Sequence, residues 1–190
     1  MLDHNENEGN RMKSTVKGLA AVAALVVAGS VQAQTYDPGY PQGYMGADAM
    51  VWNLNVDGLN DEFRSEALRL VGGVKLDQYL AVEFHLAAGG SDTNYGAKLE
   101  LDYLVGGFLK GIVPMGDRAR LFGLLGYSEV KMTVSALGES SSGRDDDISF
   151  GAGAEFDVSE AVSLTGDITR YISNSDYDLD AYSIGLRYRF

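Results

Sequence analysis

The chain has 190 residues, 45% hydrophobic and 22% charged, with a formal net charge of −12, 24 glycines, 11 tyrosines, 3 prolines and no cysteine. That length suits one domain, and the absence of cysteine excludes disulfides, thiolate metal sites and cysteine nucleophiles. The acidic balance argues against nucleic acid, which requires clustered Lys and Arg, and the apolar content is too high for a disordered chain.

Residues 18–29 form the one continuous apolar run of the sequence. At about a dozen residues it is shorter than the roughly 20 that a membrane-spanning helix needs. Arg11, Lys13 and Lys17 precede it, and Val31-Gln32-Ala33 follows as a small-x-small cleavage site. This order reads as a signal peptide over residues 1–33, cut after Ala33. Asp3, Glu6 and Glu8 do not suit a basic leader, whereas a chain starting at Met12 opens Met-Lys-Ser-Thr-Val-Lys, so Met12 is read as the true start. The leader carries as many acids as bases, so the net charge of −12 belongs to the remainder. Residues 34–42 are read as a short N-terminal segment, and residues 43–190 as the folded domain.

From Gly43 onward apolar residues recur with period two, the pattern of half-buried strands. Leu80, Val82, Phe84 and Leu86 alternate with Ala81, Glu83, His85 and Ala87, and Tyr182, Ile184, Leu186, Tyr188 and Phe190 alternate with Ser183, Gly185, Arg187 and Arg189. Eight strands are expected, over 43–56, 65–76, 79–89, 97–110, 118–133, 146–157, 161–172 and 179–190. The first is phased with Trp52 and Leu54 opposed to Asn53 and Asn55. The fifth is apolar on both faces at Leu121–Leu125, which leaves its phase open. These strands are longer than the five or six residues usual in soluble sheets and reach the roughly 9–11 that a tilted bilayer-spanning strand needs. Short turns at 77–78, 111–117 and 158–160 alternate with longer polar loops at 57–64, 90–96, 135–145 and 173–178, the asymmetry of an outer-membrane barrel. A soluble barrel is the rival, with the opposite face inside. In-strand glycines suit a narrow, strongly curved barrel. Tyr44, Trp52, Tyr79, Tyr103, Tyr127, Phe156, Tyr171, Tyr177, Tyr182, Tyr188 and Phe190 are expected to form interface girdles in the main.

The ending Asp178-Leu179-Asp180-Ala181-Tyr182-Ser183-Ile184-Gly185-Leu186-Arg187-Tyr188-Arg189-Phe190 resembles the closing strand of the small OmpA-type outer-membrane β-barrel family, which includes opacity-type and OmpX-like proteins. The resemblance implies an all-β fold, an eight-stranded antiparallel up-and-down transmembrane barrel, in the bacterial outer membrane with both termini periplasmic. It implies that Tyr188 and Phe190 form the signal read by the barrel assembly machinery. It also implies contacts with outer-membrane lipid and lipopolysaccharide, an extracellular ligand, and a monomeric state. The chain ends within that strand, so the peptidoglycan-binding domain of OmpA itself is not expected.

An eight-stranded barrel is just wide enough for its own side chains to fill it. The alternation assigns Arg69, Lys75, Glu83, His85, Glu100, Asp102, Arg120, Glu155, Asp167 and Arg187 to the lumen, as a polar network that balances its own charges. A narrow, low-conductance path through it is the alternative. Lipid A modification, known among small barrels, is the weaker one: His85 is the one histidine after the leader, and position 87 is Ala where a deacylase-type His-x-Ser would place Ser. No catalytic residues are expected. Glu139 with Asp145-Asp146-Asp147 is read as an exposed loop, since a calcium cage needs several ligands from a shaped loop. No metal and no cofactor are expected. The function that the resemblance implies is structural and surface-directed: adhesion, host contact or envelope stability.

Overall fold

The computed structural model describes residues 39–56, 62–94, 97–136, 139–173 and 177–190. The expected leader and the Met12 start lie outside the described residues. Nine strands follow in order: β1 (Gln42–Val56), β2 (Glu62–Lys75), β3 (Leu80–Ala88), β4 (Ser91–Asn94), β5 (Ala97–Pro114), β6 (Ala119–Ala136), β7 (Glu139–Asp157), β8 (Val162–Ser173) and β9 (Tyr177–Arg189). Each pairs antiparallel with its chain neighbours, except that β3 and β4 both pair with β5 and together make one stave. Pairing of β1 with β9 brings the first and last strands together, so the result is a closed barrel of eight staves. Closure removes the unpaired edges that an open sheet would expose.

The turns at the end carrying the termini are tight. The Asp77 carboxylate accepts from the backbone N–H groups of Tyr79 (2.6 Å) and Leu80 (2.8 Å), and Ser159 Oγ accepts from Val162 N–H at 3.0 Å. These are the side-chain-to-backbone bonds for which Asp and Ser are favoured in turns. At the far end the strands run on. Gly89 and Gly90 take φ values of +97° and +90° between β3 and β4, a conformation that glycine adopts without steric cost.

Two bulges reset the alternation. Between Leu101 and Tyr103 the register of β5 against β6 shifts, so Leu99 and Leu101 point inward above it and Leu104, Phe108, Lys110 and Ile112 below it. A second shift, between Arg170 and Ile172, buries both Tyr171 and Ile172. One extra residue in a strand exchanges its two faces. This corrects the expectation for Glu100 and Asp102. Glu100 lies on the outer surface, paired with Lys98 at 2.6 Å, and Asp102 is part-exposed beside Lys131 and Thr133.

Segment 135–145 is also corrected. It continues as paired strand, Ala136 facing Glu139, so Glu139, Asp145, Asp146 and Asp147 belong to β7 rather than to a loop. Backbone pairing requires no apolar side chains where both faces meet water. β8 pairs with β7 only up to Phe150, and Ser173 N–H and the Tyr177 hydroxyl still reach Asp147 and Asp145, so it is the stretch of β7 from Glu139 to Arg144 that runs on past the closed wall, backed by β6 and β5.

The outer surface carries a continuous display of large apolar residues, among them Leu68, Leu70, Leu109, Leu125, Ile148, Phe150, Ile168, Ile184 and Leu186, each about half exposed. A monomeric soluble protein rarely exposes so large an apolar area, whereas a bilayer covers it. Tyr79, Tyr127, Phe156, Tyr182, Tyr188 and Phe190 are on this surface, but Tyr44, Trp52 and Tyr171 are buried inside, which corrects their place in the girdles.

Candidate functional site: the barrel interior and its far mouth

The interior divides into two levels. The half nearer the termini holds the charged groups, set among the buried side chains of Tyr44, Phe108, Ile112 and Phe122. Asp48 on β1 accepts from Arg69 Nε on β2 (2.7 Å) and from Arg187 Nη2 on β9 (3.0 Å). Arg69 also bonds Asp167 on β8 and the Tyr171 hydroxyl (2.9 Å). His85 lies between Tyr171 and Glu83: its Nδ1 is 2.9 Å from the hydroxyl and its Nε2 2.7 Å from the carboxylate. An ionised carboxylate only accepts, so Nε2 carries the proton, and in the neutral ring Nδ1 accepts from Tyr171. Glu83 further accepts from Tyr44 Oη (2.6 Å) and Lys110 Nζ (2.9 Å). Lys110 reaches Glu155 at 3.1 Å and sits 4.0 Å above the Phe122 ring. At the terminal mouth Asp157 holds both Arg120 and Arg189, the latter at 2.6 Å, and Lys75 is buried nearby.

Taking charges from water is costly, and close opposite charges with additional hydrogen bonds offset that cost. Small residues make room for this packing. A Cβ at Gly185 would collide with the Asp48 carboxylate, and one at Gly73 with the Tyr44 ring.

The half nearer the far mouth is apolar: Met50, Trp52, Leu54, Leu99, Leu101, Leu104, Val130, Ile172, Leu179 and Ala181 fill it. Trp52, Ile172, Leu179 and Ala181 show 0% exposure. A side chain bordering a water-filled path would have accessible surface, so this layer is closed at the level of those residues.

Of the residues assigned to the lumen from sequence, Arg69, Glu83, His85, Asp167, Arg187 and Glu155 are brought together, with Lys75 and Arg120 at the terminal mouth. Glu100 and Asp102 stand apart. The sequence reading missed Asp48, Lys110, Tyr44, Tyr171, Asp157 and Arg189. A signal for Asp48 was present, since placing Trp52 and Leu54 outward also places Asp48 outward, as a charge at membrane depth. His85 is wholly buried, with both ring nitrogens engaged, so no external molecule reaches it.

Above the apolar layer the projecting sheet and β9 wall a cup of about 280 Å³. Leu54, Leu99, Val130 and Met132 form its apolar surface, with Asp145 and Tyr177 at its side. On the outer face of the same sheet Arg144 pairs with Glu129 at 3.3 Å, and Tyr127 donates to Asp146. Tyr188 and Phe190 stack on the outer surface at the opposite end, ring centroids 6.4 Å apart.

The model of the outer membrane protein beta-barrel domain matches residues 20–190. No curated protein matches the sequence significantly. Among solved structures, the attachment invasion locus protein Ail of Yersinia pestis is similar with a TM-score of 0.63 and 16% identity, over 79% of this chain and 99% of that one. Neisserial surface protein A is similar with a TM-score of 0.60 and 18% identity, over 78% of this chain and 97% of that one. OprG from Pseudomonas aeruginosa matches with a TM-score of 0.53 and 12% identity, over 79% and 96%. At these identities the likeness speaks for the fold alone. With the family model covering the barrel from its first strand to its last, the chain belongs to the outer membrane protein beta-barrel domain family.

Proposed function

We propose that the protein is a surface-interaction protein of the bacterial outer membrane, a sealed barrel that holds a rigid sheet out from the cell. In this reading the tight turns and both termini are periplasmic and the long strands face outward. One observation carries it: β6 and β7 remain paired through Ala136 and Glu139, roughly 20 Å of strand beyond the last bonds from β8 and β9 at Asp147 and Asp145. Ordered backbone carried beyond the closed wall is available for contact. The low-conductance channel is disfavoured by the closed apolar layer, and the lipid A enzyme by the burial of His85. Tyr188 and Phe190 are proposed as the assembly signal.

Ail has been solved with the heparin analogue sucrose octasulfate, a polyanion. The projecting strand here carries Glu139, Asp145, Asp146 and Asp147 against Arg144 alone, so the partner proposed for this chain is not a sulfated polyanion.

The test replaces residues 134–141 with an Asn-Gly turn, which suits a two-residue hairpin. The trimmed protein is expected to keep heat-modifiable gel migration, the mark of a folded barrel. Bacteria displaying it should lose the adherence to cell and matrix surfaces that the full chain confers. Equal adherence of the two forms overturns the proposal.

A further inference from the structure

We infer that the terminal mouth of the barrel binds a small monocarboxylate, with Lys75 as the anchoring charge. The inference is independent of the surface reading, since it concerns the opposite end of the molecule.

The balance of charges singles out Lys75. Deep in the interior, Arg69 and Arg187 are matched by Asp48 and Asp167. Nearer the mouth, Lys110, Arg120 and Arg189 are matched by Glu83, Glu155 and Asp157. A neutral His85 adds nothing to either side. Lys75 is left over. It is 7% exposed, and among the described residues it has neither a hydrogen bond nor an ion pair. Of the charges around it, Glu155 is already held by Lys110 and Arg120, and the others, Arg120, Arg189 and Lys110, are themselves cations. A charge taken from water without a counter-charge is costly. One negative charge from solution removes the imbalance.

The second observation is a row of unmet hydrogen bonds across the lumen. β7 lies four staves from β2, on the opposite side of the ring, and its Glu155 is in register with Arg120 on β6 and Thr165 on β8. In this row Arg120 Nε, Thr165 Oγ1 and Glu155 Oε2 are buried with no hydrogen-bond partner. Glu155 Oε2 has the Lys110 ammonium at 3.1 Å as its counter-charge. The guanidinium N–H and the hydroxyl remain as donors in the wall opposite Lys75. Buried donors of this kind are met by ordered water or by a ligand. A carboxylate carries two acceptor oxygens, so it serves an ammonium and further donors at once.

Access is from the terminal side, because the apolar layer above is closed at Trp52, Ile172, Leu179 and Ala181. Side chains fill most of an eight-stranded barrel, so the occupant is of acetate or propionate size.

The experiment uses the full barrel in nanodiscs of zwitterionic lipid, with the lysine side chains labelled for NMR. Sodium acetate replaces sodium chloride at constant ionic strength, which holds screening fixed. A saturable shift of the Lys75 signal is expected, with none at the exposed Lys98. Saturation transfer from the barrel to the acetate methyl group gives a second reading. It is expected to fall about tenfold in Lys75→Gln and to persist in Lys98→Gln. Methylammonium, titrated in the same way, should receive none. Heat-modifiable migration identifies the folded variants, and the wild-type titration is decisive if Lys75→Gln does not fold. A Lys75 signal that moves linearly, or not at all, shows that water alone serves the ammonium and overturns the inference. Equal transfer in the wild type and Lys75→Gln overturns it too.

Discussion

The two halves of the barrel interior solve one packing problem by opposite chemistry. Near the termini, six strands contribute charges that satisfy one another: Asp48, Arg69, Asp167 and Arg187 in one group, and Glu83 with Lys110 in another. Near the far mouth the same barrel wall contributes Met50, Trp52, Leu101, Leu104 and Leu179, whose one strong polar group, the Trp52 indole N–H, is buried without a hydrogen-bond partner. The polar half is specific, because each group has few acceptable neighbours and a mismatch strands a charge. The apolar half excludes water and tolerates volume-conserving exchange. Tyr171 stands at the boundary, its ring in the apolar layer and its hydroxyl between Arg69 and His85.

The contrast makes graded predictions. Arg69→Leu leaves Asp48 and Asp167 without their shared partner, and a loss of about 3–5 kcal/mol is expected in urea unfolding from lipid vesicles. A loss under about 1 kcal/mol would show that the polar half is not held by its pairing. Leu101→Ala opens a cavity instead, at about 2–4 kcal/mol by the same assay. The apolar layer should also be where conduction is blocked. Planar-bilayer recordings of the wild type are expected to show no steady current, and the combined Met50→Ala, Leu101→Ala and Leu104→Ala variant to show discrete steps. If Arg69→Leu alone conducts, the seal lies in the polar half and the comparison fails. Tyr171→Phe removes one hydroxyl from between two buried partners, and about 1–3 kcal/mol should be lost. The smallest effect belongs to the exposed Lys98–Glu100 pair on the outer wall. Lys98→Ala should cost no more than about 1 kcal/mol, vanishing in high salt.

Much of the barrel was legible in the sequence because lipid and lumen impose opposite demands on alternate residues. Leu80 to Ala88, and Tyr182 to Phe190, display their faces without ambiguity, and the outward residues of β2, β3 and β7 to β9 follow from period two alone. β1 was phased the wrong way because Trp52 and Leu54 look lipid-facing when only apolar character is weighed. In this barrel half the interior is apolar as well, so hydrophobicity no longer names the side. Glu100 and Asp102 were misplaced for another reason: the bulge after Leu101 has no composition signature, since Tyr103 and its neighbours fit either face. Segment 135–145 reads as a loop because serine, glycine and aspartate favour turns, yet strand pairing with β6 overrides that preference. The cup could not be read from sequence at all, because Leu54, Leu99, Val130 and Asp145 come from four strands.

The seam between β1 and β9 has a kinetic consequence. Asp48 and Arg187 are 139 residues apart in the chain, yet they bond directly across the strands that close the barrel. Pairing at such separation is slow to find. Until β9 docks, Asp48 lacks one of its two arginines and Arg69 shares a half-built pocket. The closing strand therefore completes the polar interior in the same event that removes the last open edge, so ring closure and charge neutralisation are one cooperative step.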